Sequence, residues 1–326
     1  MIPPPEREDC RSVDRPPRYF TLVGKRCNIP IHPTAIIDPR AILDPTATIG
    51  PYVVIDGPVH VGPNTVVDAF ALLSGCTEIG ANCRIHSGAV IGGLPQDRAY
   101  QGGESYCWIG DGTVVREGAS IHRGTAQGSS TVVGNRCFIM ANAHVGHNCV
   151  LGDEVTLVNG ALLGGYVQVG KKAFISGNSA VHQFVRIGEL AMIGAITKVA
   201  QDVPAFFTAD HDGSCVGVNA VGIRRANFSS AERDDIKQAY RILYRTSASL
   251  VFALEEIARV ITTDVGERLL AFLRAPSSRG ITCARARLKR RGQTDLAEPE
   301  ATRVPIRHGD NKGPTGIIPA TRPAKG

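Results

Sequence analysis

No stretch of the chain approaches the ~18 consecutive apolar residues that a transmembrane helix needs, which argues against a membrane span. The opening Met1-Ile2-Pro3-Pro4-Pro5-Glu6-Arg7 lacks the charged-then-apolar pattern of a secretory signal, so export by that route is not expected. Aromatic residues make up only 6% of the 326 residues, with a single tryptophan, which argues against an aromatic-rich core. No C-x-x-C occurs among the nine cysteines. An odd count in a chain this long is no disulfide framework, and the thiols are read as reduced and structural, in a cytosolic protein.

Glycine, in contrast, is abundant at 36 residues, and a repeat explains it. Stepping every sixth residue from Ile31 gives Ile37, Leu43, Ile49, Ile55, Val61, Val67, Leu73, Ile79, Ile85 and Ile91, then Ile109, Val115 and Ile121, then Val133 through Val199. Of the 29 six-step positions from 31 to 199, 26 are Ile, Val or Leu, where chance would place about seven if roughly a quarter of residues were aliphatic. A period of six fits neither the 3.6 of a helix nor plain strand alternation. It fits an all-β fold, a left-handed parallel β-helix of hexapeptide repeats, each repeat a short strand and a turn, three to a triangular coil. Gly often follows the inward aliphatic, as at Gly50, Gly62, Gly80, Gly110 and Gly152, where a corner calls for a small or φ-permissive residue.

The pattern assigns residues 1–30 to a flexible N-terminal arm and 31–205 to the β-helix, interrupted by loops at 93–107 and 125–130. Long loops in a compact repeat are usually functional, so these are expected to lie over a site or against a neighbouring subunit. Residues 206–228 read as a connecting segment. A C-terminal α-helical cap is expected over 229–275: Ser229 or Ser230 caps the first helix, and two more follow near 248–262 and 265–274. Residues 276–326 lack aromatics and read as a basic disordered tail. The net charge of +6 resolves into +2 for the arm, +7 for the tail and −3 for 31–275. The basic character sits at the ends and does not point to nucleic acid.

A β-helix does not name a function. The candidate chemistry lies in four histidines beside inward positions: His122, His144, His147 and His182. Neighbours of an inward residue point out of the prism, so these rings are expected on the outer faces, where subunits could meet.

At these residues the sequence resembles the bacterial UDP-N-acetylglucosamine acyltransferases that begin lipid A synthesis. The strings that carry the resemblance are Gln96-Asp97 with Tyr100, Ile121-His122-Arg123-Gly124-Thr125, Asn142-Ala143-His144 with His147, and Val181-His182-Gln183-Phe184. Gln201-Asp202-Val203-Pro204, Gly217-Val218-Asn219 and Arg224-Arg225 complete them. The resemblance implies a cytosolic homotrimer with sites between neighbouring prisms, without metal or cofactor, moving a (R)-3-hydroxyacyl chain from acyl carrier protein to the 3-position of UDP-GlcNAc. By their place in the motifs, His147 would be the general base and the Gly165 backbone N–H the oxyanion donor. Asp97, His144, His182, Gln183, Asn219 and Arg225 would hold substrate, and Ala195 would set acyl length. His122 takes a supporting role.

The chain departs from the family pattern where Asn148 follows the base in place of Asp, Ala99 (beside Arg98) replaces a Lys, and Tyr166 replaces a His. Val221 stands for an acidic residue, and Ala195 for a Gly. These departures leave the acceptor open between a sugar hydroxyl and a 3-amino analogue. Other readings are a different hexapeptide acyl- or acetyltransferase, a non-catalytic relative, and a zinc-binding carbonic-anhydrase-like β-helix with histidine ligands.

Overall fold

The computed structural model describes residues 30–246 and 249–284; the remainder of the expected arm and most of the expected tail lie outside them. Strands of two to four residues stack into three parallel sheets of successive coils, and a final antiparallel hairpin closes one sheet. In register, Ile37 pairs with Ile55, and Leu157 with Ile139 on one side and Ile175 on the other. The aliphatics of the six-residue repeat line a dry core, with Leu73, Ile91, Ile121, Leu157 and Ile193 fully buried.

A second inward ladder, which the six-residue aliphatic period does not display, runs two residues before each aliphatic. Its residues are small: Ala71, Ala89, Cys107, Ala119, Cys137, Ala143, Cys149, Ala161 and Ala173, all buried. Several donate to a corner carbonyl one coil on, as Thr65 Oγ1 does to Gly80 O (2.7 Å), Ser179 Oγ to Gly194 O (2.7 Å) and Cys149 Sγ to Gly164 O (3.1 Å). Small volume, often with a short donor, is what the position selects, and this accounts for Cys83, Cys107, Cys137 and Cys149. Burial holds Cys137 and Cys149 at a pKa of about 12, so they are protonated and inert.

The corner glycines act through space rather than through φ. A Cβ at Gly62 or Gly110 would lie 2.6–2.7 Å from backbone atoms of the next coil. The left-handed conformation falls two residues later, on Asn64, Asn82, Asn148 and Tyr166, and likewise on Phe184 two residues after His182.

Beyond the last coil, residues expected only to connect form a hairpin, Phe207–Asp210 with Ser214–Val218, and a short helix α1, Ala220–Arg225. Helix α2, Ser230–Arg245, begins with a capping box between Ser229 and Glu232. Helices α3, Leu250–Val260, and α4, Asp264–Arg274, start from Ser249 and Thr263 caps. They pack with Phe206, Phe207 and Leu190 into a second core, and Phe207 meets Tyr240 and Tyr244 edge-on at 5.4 and 5.8 Å. Buried Asp202 binds Arg186 at 2.7 Å, and that guanidinium stacks 4.7 Å over Phe272 of α4.

Residues 276–284, expected to belong to the disordered tail, are ordered. Ile281 bridges to Asp202 and Ala284 to Cys215, so this segment completes backbone hydrogen bonds at the end of the solenoid. No described helix is long and apolar enough to cross a membrane.

Candidate active site

The two loops that interrupt the repeat zip to each other. Glu104 N–H donates to Gln127 Oε1 (2.8 Å) and Gly128 N–H to Glu104 O (2.8 Å). Arg123 anchors the first loop to the prism: its guanidinium donates to Tyr100 OH (3.1 Å) and lies where a side chain at Gly75 would collide with it. Within the loop, Ala99 N–H holds Asp97 Oδ1 (3.0 Å), while Oδ2 lies 3.8 Å from His147 Nε2.

The loops also change which coils stack. Ile91 pairs with Ile121, thirty residues on, and Ile121 with Val145, so Ser120 and His144 become neighbours. The rings of His122 and His144 meet edge-on at 4.8 Å, and His144 Nδ1 is hydrogen-bonded to Ser120 Oγ (2.8 Å). His122 and His147 are each only 8% exposed in a single chain. The first loop folds back beside these two, so neither ring lies on an open face of the single chain. Only His182 is exposed. Burial, followed by repulsion from His144 and His147, lowers the His122 pKa to about 4; burial and His147 lower that of His144. The His122 Nδ1 is buried without a hydrogen-bond partner among the described residues.

His147 sits at a corner. Its Nδ1 lies 2.8 Å from Thr125 Oγ1 and 3.1 Å from Asn148 Oδ1, and Tyr166 meets its ring edge-on at 5.3 Å. Burial and the nearby Asp97 charge raise the Tyr166 pKa. A Cβ at Gly165 would lie 2.5 Å from the His147 ring and would force the ring to shift. The Gly165 N–H has no acceptor among the described residues.

A cleft of about 580 Å³ opens over this corner, lined by Gln96, the three clustered histidines, His182, Gln183, Gly165 and an apolar wall of Leu162, Ala180 and Val181. Asn219, Arg225 and Ala195 do not line it. Asn219 caps α1 by accepting from Gly222 N–H (2.9 Å) while its amide donates to Leu190 O (2.8 Å). Arg225 is exposed in the last turn of α1, and Ala195 is exposed near the end of the solenoid. Thr125 and Ser120, which hold two of the rings, carried no signal in the linear sequence beyond the string around His122. No group of three or more His, Cys, Asp or Glu among the described residues is placed to hold a metal ion.

Residues 202–282 match the family model described as UDP N-acetylglucosamine O-acyltransferase, domain 2. Residues 58–93 and 130–165 match the bacterial transferase hexapeptide model. The chain is 42% identical over 248 residues to the acyl-[acyl-carrier-protein]–UDP-N-acetylglucosamine O-acyltransferase of Synechocystis sp., covering 76% of this chain and 90% of that protein. It is 48% identical over 231 residues to the protein of that name from Chlorobaculum parvum, covering 70% and 88%. Among solved structures, the Francisella novicida UDP-N-acetylglucosamine acyltransferase superposes with TM-score 0.75 at 36% identity, over 78% of this chain and 94% of that one. The Moraxella catarrhalis O-acyltransferase gives 0.75 at 34%, over 78% and 100%. With its parallel sheets and hexapeptide repeats, the solenoid is a left-handed β-helix, and the chain belongs to the UDP-N-acetylglucosamine O-acyltransferase family.

Proposed function

We propose that the protein transfers a (R)-3-hydroxyacyl chain from acyl carrier protein to the 3-hydroxyl of UDP-GlcNAc, the first step of lipid A synthesis, in the cytoplasm. Membership of the family supports the reaction class. The observation that carries the mechanism is His147 at the cleft, its Nδ1 engaged by Thr125 and Asn148 and its Nε2 turned to the Asp97 side. Nε2 takes the proton as the sugar oxygen attacks the thioester carbonyl. The oxyanion of the tetrahedral intermediate accepts from the Gly165 N–H. Collapse breaks the carbon–sulfur bond, and the proton on Nε2 passes to the departing thiol of the carrier.

In this reading His144, His182 and Gln183 hold substrate from one chain. Asn219, Arg225 and Ala195 act from a neighbouring prism of a homotrimer, with Ala195 setting acyl length. Exposed Leu162, Phe174, Phe184 and Ile196 on the solenoid support packing between chains.

A second acceptor, the 3-amino UDP-sugar, is favoured by one observation: Asp97 has only His147 as an ion-pair partner among the described residues, with Ala99 beside it. In that case the carboxylate would orient the amine, which attacks as the neutral base. A turnover assay pairing each UDP-sugar with acyl carrier proteins of several chain lengths, read by product mass, tests both. O-acyl product supports the first reading and N-acyl product the second. Transfer from acetyl-CoA alone would replace both with a different hexapeptide acetyltransferase.

A further inference from the structure

The two oxygens against His147 Nδ1 determine which ring nitrogen carries the proton. The backbone N–H of Thr125 can only donate, so the Asn148 atom 3.0 Å from it is the carbonyl oxygen and not the amide nitrogen. That same oxygen lies 3.1 Å from Nδ1. An amide oxygen only accepts; a lone pair on Nδ1 would face a lone pair there, whereas an N–H is satisfied. Thr125 Oγ1, at 2.8 Å, offers a second acceptor to the same N–H. Thr125 therefore acts twice: its main chain orients the Asn148 amide, and its hydroxyl shares the ring proton.

A neutral amide can set a tautomer but contributes little to stabilising the charged ring. The groups facing His147 from neighbouring elements are His122 and His144, both cationic if protonated and both held down by burial, Tyr166 from the next coil, and Asp97 from the loop. Asp97 is the only anion among them, and it lies on the Nε2 side.

We infer that Asn148 and Thr125 form a positioning pair that holds His147 as the Nδ1–H tautomer with Nε2 free to accept a proton, and that Asp97 supplies the counter-charge that Asn148 lacks. The kinetic part of this inference rests on the acyl-transfer reading; the tautomer does not. Full-length protein labelled with ¹⁵N-histidine, studied by two-bond proton–nitrogen correlation, reads the ring directly. The expected result is a protonated Nδ1 and a bare Nε2 on His147 at neutral pH. An Nε2–H tautomer in the wild-type protein would overturn the inference whatever the enzyme's activity.

Asn148→Asp places a carboxylate on the Nδ1 side. Asp97→Asn is expected to lower kcat about tenfold, and Asn148→Asp on that background to restore it to within about threefold. A double variant no faster than Asp97→Asn overturns the assignment of the counter-charge. Thr125→Val is expected to lower kcat about tenfold or more with KM for the UDP-sugar unchanged, and Thr125→Ser to restore it to within about twofold. Full turnover in Thr125→Val, or a loss that Ser does not rescue, removes Thr125 from the pair. A wild-type protein without any acyl transfer counts against the proposed function and leaves the nuclear readout to decide the tautomer.

Discussion

Inside and outside of the same coil are built to different rules. Val145 points inward, fully buried, one residue from His144 and two from His147. Leu163 points inward two residues before Gly165. The inner ladders admit only aliphatics at one position and small residues at the other, coil after coil. The outer corner at the same level changes from Asn148 to Tyr166 to Phe184 with the backbone unaltered, all three in the left-handed conformation. A repeat whose stability is internal leaves its surface free for chemistry. The site can therefore be altered without unfolding the protein, and the core without direct effect on the reaction.

The largest test of that separation is His147→Ala. It is expected to lower kcat/KM by about 10²–10⁴-fold with the melting temperature unchanged, measured by product formation and calorimetry on one sample. Leu157→Ala should do the reverse. Its side chain is fully buried between Ile139 and Ile175, so about 2–5 kcal/mol of stability is lost in denaturant titration. At temperatures where that variant stays folded, turnover should remain near normal. A kinetic defect as large as that of His147→Ala would break the comparison.

Gly165→Ala probes the corner itself. The added methyl group would lie 2.5 Å from the His147 ring, so the ring must move. Turnover should drop about ten- to a hundredfold with less than ~1 kcal/mol lost in thermal melts. His122 lies between the two rules, chemically polar yet buried. Its pKa falls from 6.5 to about 4 in the folded chain. Below 6.5 the unfolded chain binds a proton that the folded one refuses, so this contribution to stability is complete above 6.5 and lost progressively as pH falls towards 4. Thermal melts at pH 7 and pH 5 should show the loss, and His122→Gln should shrink it. The smallest effect is expected from Cys149→Thr. Thr65 and Thr113 occupy the same inward position and donate to the same kind of corner carbonyl, so the cost should be about 1 kcal/mol or less, measured by denaturant midpoint.

Legibility in the sequence follows the same division. The aliphatic ladder was plain because every sixth residue answers to one environment. The small-residue ladder was hidden because Ala, Cys, Thr, Ser and Val share volume and burial but not hydropathy. Helix α2 was readable from Ser229 and Glu232, which satisfy each other's backbone groups locally. The ordered 276–284 was not, since its partners, such as Asp202 for Ile281, lie far away in sequence; the hairpin at 207–218 pairs locally but lies outside the six-residue period and is held by stacking on Met192 and Ile193 of the last coil. His147 was found through its motif. The burial of His122 and the role of Thr125 depend on coil pairings shifted by the loops, which no local pattern displays.

The altered spacing of those pairings bears on how the chain can wind. Most rungs join residues 18 apart, as Ile37 joins Ile55, whereas Ile91 joins Ile121 across 30. Closing the longer segment costs only about 0.5 kcal/mol more in chain entropy, because that term grows with the logarithm of length. Parallel sheets ordinarily demand distant contacts and fold slowly; here each coil needs only the one before it. A solenoid of this kind can accept inserted residues at any corner with little thermodynamic or kinetic penalty, and the coils around Ile91, Ile121 and Val145 are where this chain has done so.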